Sequence, residues 1–233
     1  MKDSYDGVLV RLREYRKKMN LRQSEICEKM GITQSHYSKI ERREKIISNE
    51  SLMKLRENGV DIDFLVTGME TRTTILDELF YKCPKEQREK LLNLMVVYVN
   101  IAITSMGECA LLCYTKELEI LRFEFAEKVD ENRETIWNCI RKISGLTQEK
   151  LAGELDIDIK SYREIEKERV MPNAELLAVI YEKYGYYPSL IIKGETNYLF
   201  AINHIWCQLP SDIQVKITEL LKRDLEFILN MQE

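Results

Sequence analysis

Residues 21–44 read LRQSEICEKMGITQSHYSKIERRE, and residues 146–169 read LTQEKLAGELDIDIKSYREIEKER. The two stretches align without a gap at an offset of 125, which puts Leu21 on Leu146, Gln23 on Gln148, Ile32 on Ile157, Tyr37 on Tyr162 and Ile40-Glu41 on Ile165-Glu166. The match continues outward in both directions. Arg16-Lys17 meets Arg141-Lys142, and Glu50 and Leu52 meet Glu175 and Leu177. Ten identities fall within positions 16–52, where average composition gives about two. A one-residue insertion near Tyr184 moves the offset to 126, so that Gly59 meets Gly185, Gly68 meets Gly194 and Pro84 meets Pro210. The chain is therefore an internal repeat, apart from a joining segment at about 108–129.

Each copy reads as the same series of short helices. Val8 to Met19 is amphipathic, with Leu9 and Leu12 at helical spacing. Gln23 to Met30 forms a second helix ended by Gly31, and Thr33 is placed to cap a third that runs to about Arg43. Asn49 to Glu57 and Ile62 to Thr67 follow, the latter capped by Asp61 and closed by Gly68. Pro84 precedes a long helix from Lys85 to about Ile103, and Pro210 precedes its counterpart from Ser211 to Met231. In the joining segment, Leu111, Tyr114, Leu118, Leu121 and Phe125 keep a three/four spacing that favours an amphipathic helix over strand pairing of LEILRFEF.

At 100° per residue, Tyr37 and Ile40 share one face of the third helix, while Gln34, Ser35, Ser38, Lys39 and Arg42 share the other. The first face is made for a core. The second offers the amides, hydroxyls and cations that bond base edges and phosphates. With the glutamine opening helix two, the turn, the Tyr-x-x-Ile-Glu of helix three and the Ile-Asp-Phe-Leu-Val-Thr-Gly ending, residues 8–69 resemble the lambda-repressor-like (Cro/repressor-type, XRE) helix-turn-helix domains. Residues 134–195 resemble a second one. The resemblance implies an all-α fold with two such domains in tandem, each followed by a long helix. The expected organisation is 1–69 for the first helix-turn-helix domain, 70–107 for its helical tail, 108–129 for a joining helix, 130–195 for the second domain and 196–233 for a C-terminal tail that serves dimerisation.

The resemblance also assigns roles. Gln34 and Ser35 open the recognition helix and face base edges, with Thr33 at its cap; Ser38 and Lys39 follow one turn later. Gln23, at the start of helix two, presents a side chain and backbone amides to a phosphate. Arg42 and Arg43 grip the DNA backbone beyond the helix. Arg22 departs from the Ser or Thr cap usual at its position, trading a cap for a cation. Pairs of Arg16 with Glu41 and of Arg141 with Glu166 are implied as scaffold. In the second copy the corresponding candidates are Gln148, Lys160, Arg163 and Lys167, with Ile159 able to meet a thymine methyl.

The copies differ in charge. Positions 8–60 hold 13 Lys and Arg against 7 Asp and Glu, whereas positions 136–185 hold 8 against 9. Duplex binding depends on cations that neutralise phosphates, so the first copy is the stronger candidate and the second is left open.

Composition narrows the function classes. The chain has 233 residues, 45% hydrophobic and 32% charged, with 9 glycines, 4 prolines and a net charge of −4, as in an ordinary helical globular protein. Two histidines, no glycine-rich loop and six cysteines without a CxxC pair give no catalytic or metal constellation, so no enzyme, cofactor or metal is expected. Cys109 and Cys113 would share a helix face but lack further ligands. The most apolar stretch, Leu91 to Met106, is interrupted by Asn93, Tyr98 and Asn100, too polar to span a bilayer. The charged N-terminal stretch lacks the apolar core of a signal peptide, so a cytoplasmic location is expected.

The leading expectation is a sequence-specific transcriptional regulator, in the form of a repressor, with double-stranded DNA and a second copy of itself as partners. Two alternatives stand beside it. Only the first domain binds DNA while the second dimerises or holds a protein partner, or the whole chain is an adaptor or antitoxin-like interaction module. The basic first copy argues against the last.

Overall fold

A computed structural model of the chain describes residues 2–70, 72–107, 114–125, 135–192 and 195–230. In chain order the helices are α1 (Lys2–Lys18), α2 (Gln23–Met30), α3 (Gln34–Glu41), α4 (Asn49–Glu57), α5 (Ile62–Thr67), α6 (Ile75–Lys82), α7 (Arg88–Met106) and α8 (Thr115–Phe125). They continue with α9 (Ile136–Ile143), α10 (Gln148–Glu154), α11 (Ile159–Glu166), α12 (Ala174–Tyr184), α13 (Pro188–Ile191), α14 (Glu195–Trp206) and α15 (Ser211–Asn230). The fold is all-α, with no strand among the described residues; LEILRFEF lies in α8. Leu111, Cys109 and Cys113 lie outside the described residues, as does the end of the long helix expected to reach Met231.

The repeat is written most plainly in the backbone. Left-handed φ values occur at Asn20 (52°) and Gly145 (65°), at Gly31 (67°) and Asp156 (52°), at Arg43 (62°) and Glu168 (56°), and at Gly59 (81°) and Gly185 (77°). Every one of these pairs is matched by the repeat offset, although only the last pair is glycine in both copies. A left-handed residue costs a side chain free energy, so its survival at Arg43, Asp156 and Glu168 shows that the turn geometry, not the residue, is what the fold requires.

The contacts divide the chain into two compact units, 1–70 with 145–188, and 71–144 with 189–233. In the first unit α1 lies on α5 and α12. Its buried face is Tyr5, Val8, Leu9 and Leu12, so the helix begins a turn and a half before the expected Val8. Tyr5 continues the three/four spacing upstream. Arg11 donates to the carbonyls of Leu65 (2.8 Å) and Val66 (2.7 Å), satisfying the C-terminal end of α5. The Tyr5 hydroxyl accepts from the Ile47 amide at 2.8 Å, and the Ile47 carbonyl accepts from the Ala174 amide at 3.0 Å.

Burial pushes the Tyr5 phenol up to about 12, and burial next to Glu41 pushes Tyr37 up to about 12 as well. The fold thus favours both neutral phenols. Their contribution to stability is complete below the unfolded value of about 10 and is lost as pH rises towards 12. The urea midpoint is expected to fall between pH 9 and pH 11, and less steeply in Tyr5→Phe; an equally steep fall in that variant would contradict the assignment.

In the second unit the two tails form a helical bundle in which α7 meets α14 and α15, and α6 meets the same two helices. Leu91, Leu92, Met95, Val96, Val99 and Ile103 of α7 are buried, as are Ile217, Leu221 and Leu225 of α15. The joining helix α8 packs on α7 and α9. The expected helix from Lys85 opens with a single 3-10 turn, Lys85–Gln87, before becoming α-helical at Arg88.

Candidate nucleic-acid interface

Helix α3 starts where Thr33 turns its hydroxyl to accept from the His36 amide at 3.2 Å, which satisfies one orphan donor of the first turn. Tyr37 and Ile40 are at most 1% exposed. They anchor the helix so that Gln34, Ser35 and Lys39 stand exposed and Ser38 half-exposed on the opposite side. The burial pattern reproduces the helical split read from the sequence.

The candidates that the sequence grouped together have distinct surroundings. Among the described residues the Gln34 amide donates only a long 3.4 Å bond to Gln23 Oε1, so it is weakly held. Gln23 in turn donates to Glu41 Oε2 at 3.1 Å. In the second copy Gln148 donates to Glu166, and Arg163 donates to Gln148 Oε1 at 3.2 Å. The glutamine at the head of helix two therefore works first as a brace between helices two and three, in both copies.

Glu41 is held by Arg13 rather than by Arg16. Arg13 Nε lies 3.7 Å from Glu41 Oε1, and the same guanidinium donates to the Glu41 carbonyl at 2.6 Å. Arg16, one turn later, donates to the Leu21 carbonyl at 3.2 Å, and its Nε is buried without a hydrogen bond. Sequence spacing does not choose between two arginines three apart on one helix, because both share the face that looks towards α3. Glu166 also accepts from the Tyr162 hydroxyl at 3.3 Å.

Arg42 caps α3 and is bonded to Glu44 at 2.7 Å and 3.3 Å, which holds the Glu44 carboxyl below the usual carboxylate range. Arg43, in its left-handed turn, is paired with Asp6 of α1. Arg22 supplies no side-chain cap to α2, as its departure from Ser or Thr implied; Glu25 instead accepts from the Arg22 amide at 2.6 Å.

Helix α11 repeats the construction with different chemistry. Asp158 caps it by accepting from the amides of Lys160 and Ser161, each at 3.0 Å, and the Ser161 hydrogen bond holds its carboxyl below the usual range. Tyr162 and Ile165 are buried, and Lys160, Arg163 and Lys167 are exposed. Arg163 is also 3.7 Å from Glu149, so of these three Lys160 and Lys167 are the cations with no carboxylate at hand among the described residues.

A family model described as helix-turn-helix matches residues 12–58, and another, described as helix-turn-helix domain, matches residues 138–196. No curated protein and no solved structure matches the chain. Among the described residues no helix is long and apolar enough to cross a membrane.

Proposed function

We propose, for a chain that carries two XRE-type helix-turn-helix domains in tandem, that it is a sequence-specific DNA-binding transcriptional regulator that represses by occluding a promoter. Helix α3 reads the major groove: Gln34 bonds adenine, Ser35 and Ser38 take adjoining edges, and Lys39, Arg42 and Arg43 meet phosphates. The observation that carries this reading is the row of exposed polar and basic residues on a helix whose other face is fully buried. Arg43→Ala is expected to weaken binding to every duplex alike and to lower the slope of log affinity against log salt by about 1. An unchanged slope would remove Arg43 from the phosphate contacts.

One observation favours a second reading for the second domain. An open cavity of about 310 Å3 lies behind α11, lined by Leu155, Ile157, Ile165, Met171, Leu176 and Val179, with Val170 and Met171 exposed beside it. On that reading the second domain holds a protein partner and only the first binds DNA.

A second copy of the chain is proposed to seat on the part of α15 that the tail bundle leaves bare. Val215 is 58% and Phe227 66% exposed, and Phe227 borders a groove of about 520 Å3 between α7 and α15. Light scattering at micromolar concentration should give twice the chain mass, and Phe227→Glu should halve it; a strict monomer would overturn the homodimer.

A further inference from the structure

In a twofold interface a residue near the axis meets its own equivalent, and off the axis i meets j as j meets i. Both units show this pattern within the single chain. In the second unit, Asn203 Nδ2 donates to Asp77 Oδ2 at 2.9 Å, and the Tyr98 hydroxyl donates to Asp224 Oδ2 at 2.6 Å. Each pair is related by the offset of 126, so each residue touches its own repeat mate. The helix pairings are likewise exchanged: α6 meets α15, and α7 meets α14. In the first unit the Ala174 amide donates to the Ile47 carbonyl at 3.0 Å, and Asn49 Nδ2 donates to the Pro172 carbonyl at 3.3 Å. At the offset of 125, Asn49 matches Ala174 and Ile47 matches Pro172, so this contact is reciprocal as well.

The mates that meet are unlike. Asp77 faces an asparagine and Tyr98 faces an aspartate, each a donor against an acceptor. Two copies of the first repeat would set Asp77 against Asp77, like charge against like charge. These pairs have the chemistry of an interface specialised for joining the first repeat to the second.

The reciprocal contact in the first unit joins the segments that leave the two recognition helices, 42–48 after α3 and 167–173 after α11, each through its bond to the first residue of the other copy's next helix, Ala174 of α12 and Asn49 of α4. We infer that a single chain reads a bipartite, non-palindromic duplex site, with α3 on one half and α11 on the other, held at one separation by this internal pairing. The inference rests on the DNA-binding reading above and deepens it by giving the form of the site. The α3 half favours adenine, through Gln34. The α11 half favours guanine through Lys160 and a neighbouring thymine through Ile159, because an amide fork, an ammonium and a branched alkyl group recognise different base edges. A homodimer would double this reader without changing the site that each chain reads.

Selection of bound duplexes from a randomised pool, with the full chain, tests it. Two unlike half-motifs at one fixed separation are expected. Gln34→Ala with Ser35→Ala should erase one half, and Ile159→Ala with Lys160→Ala the other, each lowering affinity for the selected duplex about ten-fold or more while the remaining half stays preferred. Inserting half a helical turn, about 5 base pairs, between the halves should lower affinity to the level of a single half. A palindromic motif, or a single half-motif indifferent to the α11 substitutions, would overturn the inference and leave DNA binding standing. Failure to bind any duplex would overturn both.

Discussion

Replacing Gln34 and Ser35 together with alanine is expected to abolish the sequence preference of the first domain while the helices and the thermal midpoint stay as they are. Both side chains are exposed, and their removal uncovers no buried polar group. Among the described residues the only bond lost is the 3.4 Å contact from Gln34 to Gln23, whose amide still reaches Glu41 at 3.1 Å. In complex with DNA the balance is different. A glutamine that bonds an adenine through both its amide atoms discriminates against a wrong base by about 1–3 kcal/mol, which is a loss of roughly 5- to 150-fold in specific over non-specific binding. Non-specific affinity rests on the cations and should persist with its salt dependence unchanged. Competition between a selected site and random duplex, measured for both proteins at two salt concentrations, separates the terms. If the double variant chooses the same site with the same preference, the reading face lies elsewhere on the domain.

That face was legible in the sequence because it is a local matter. Tyr37 and Ile40 against Gln34, Ser35 and Lys39 is a helical period within one turn and a half, and the structure buries one set and bares the other. The bounds of α2, α4 and α5 were legible for the same reason, from caps and closing residues next to each helix. What local pattern did not decide was which side chains meet across distance. Arg13 and Arg16 have equal claims on Glu41 until the angle of α1 on α3 is known. The early start of α1 was signalled by Tyr5 in register with Val8, Leu9 and Leu12, but its purpose, a hydrogen bond with Ile47, spans 42 residues. The meeting of the repeats was the least legible, because Asp77 with Asn203 and Tyr98 with Asp224 are not identities and add nothing to a self-alignment. Such pairs exist only in the folded chain, where residues 126 apart are brought together.

Tyr37→Ala is expected to be the most damaging single substitution in the first domain, costing about 3–5 kcal/mol as truncations of buried aromatics do. The side chain is fully buried, and it fixes α3 to the domain, so the cavity left behind also loosens the exposed polar face of α3. Ring and hydroxyl can be separated. The Tyr37 hydroxyl is buried beside Arg16 and Glu41 without a well-formed hydrogen bond among the described residues, so Tyr37→Phe should change stability little. Its mate Tyr162 donates to Glu166 at 3.3 Å, so Tyr162→Phe should cost about 1 kcal/mol despite the same geometry of burial. The Tyr37→Ala loss should not stay in one repeat. Ile47, a few residues beyond α3, is bonded on its amide side to Tyr5 and on its carbonyl side to Ala174. Loosening α3 therefore strains the contact that joins the first repeat to α12. Thermal unfolding followed by circular dichroism should show one cooperative transition moved down on the order of 10 °C, with no residual helical step at the original midpoint. Two separated transitions, the upper one unmoved, would mean that the repeats fold independently and that the internal pairing carries little of their stability.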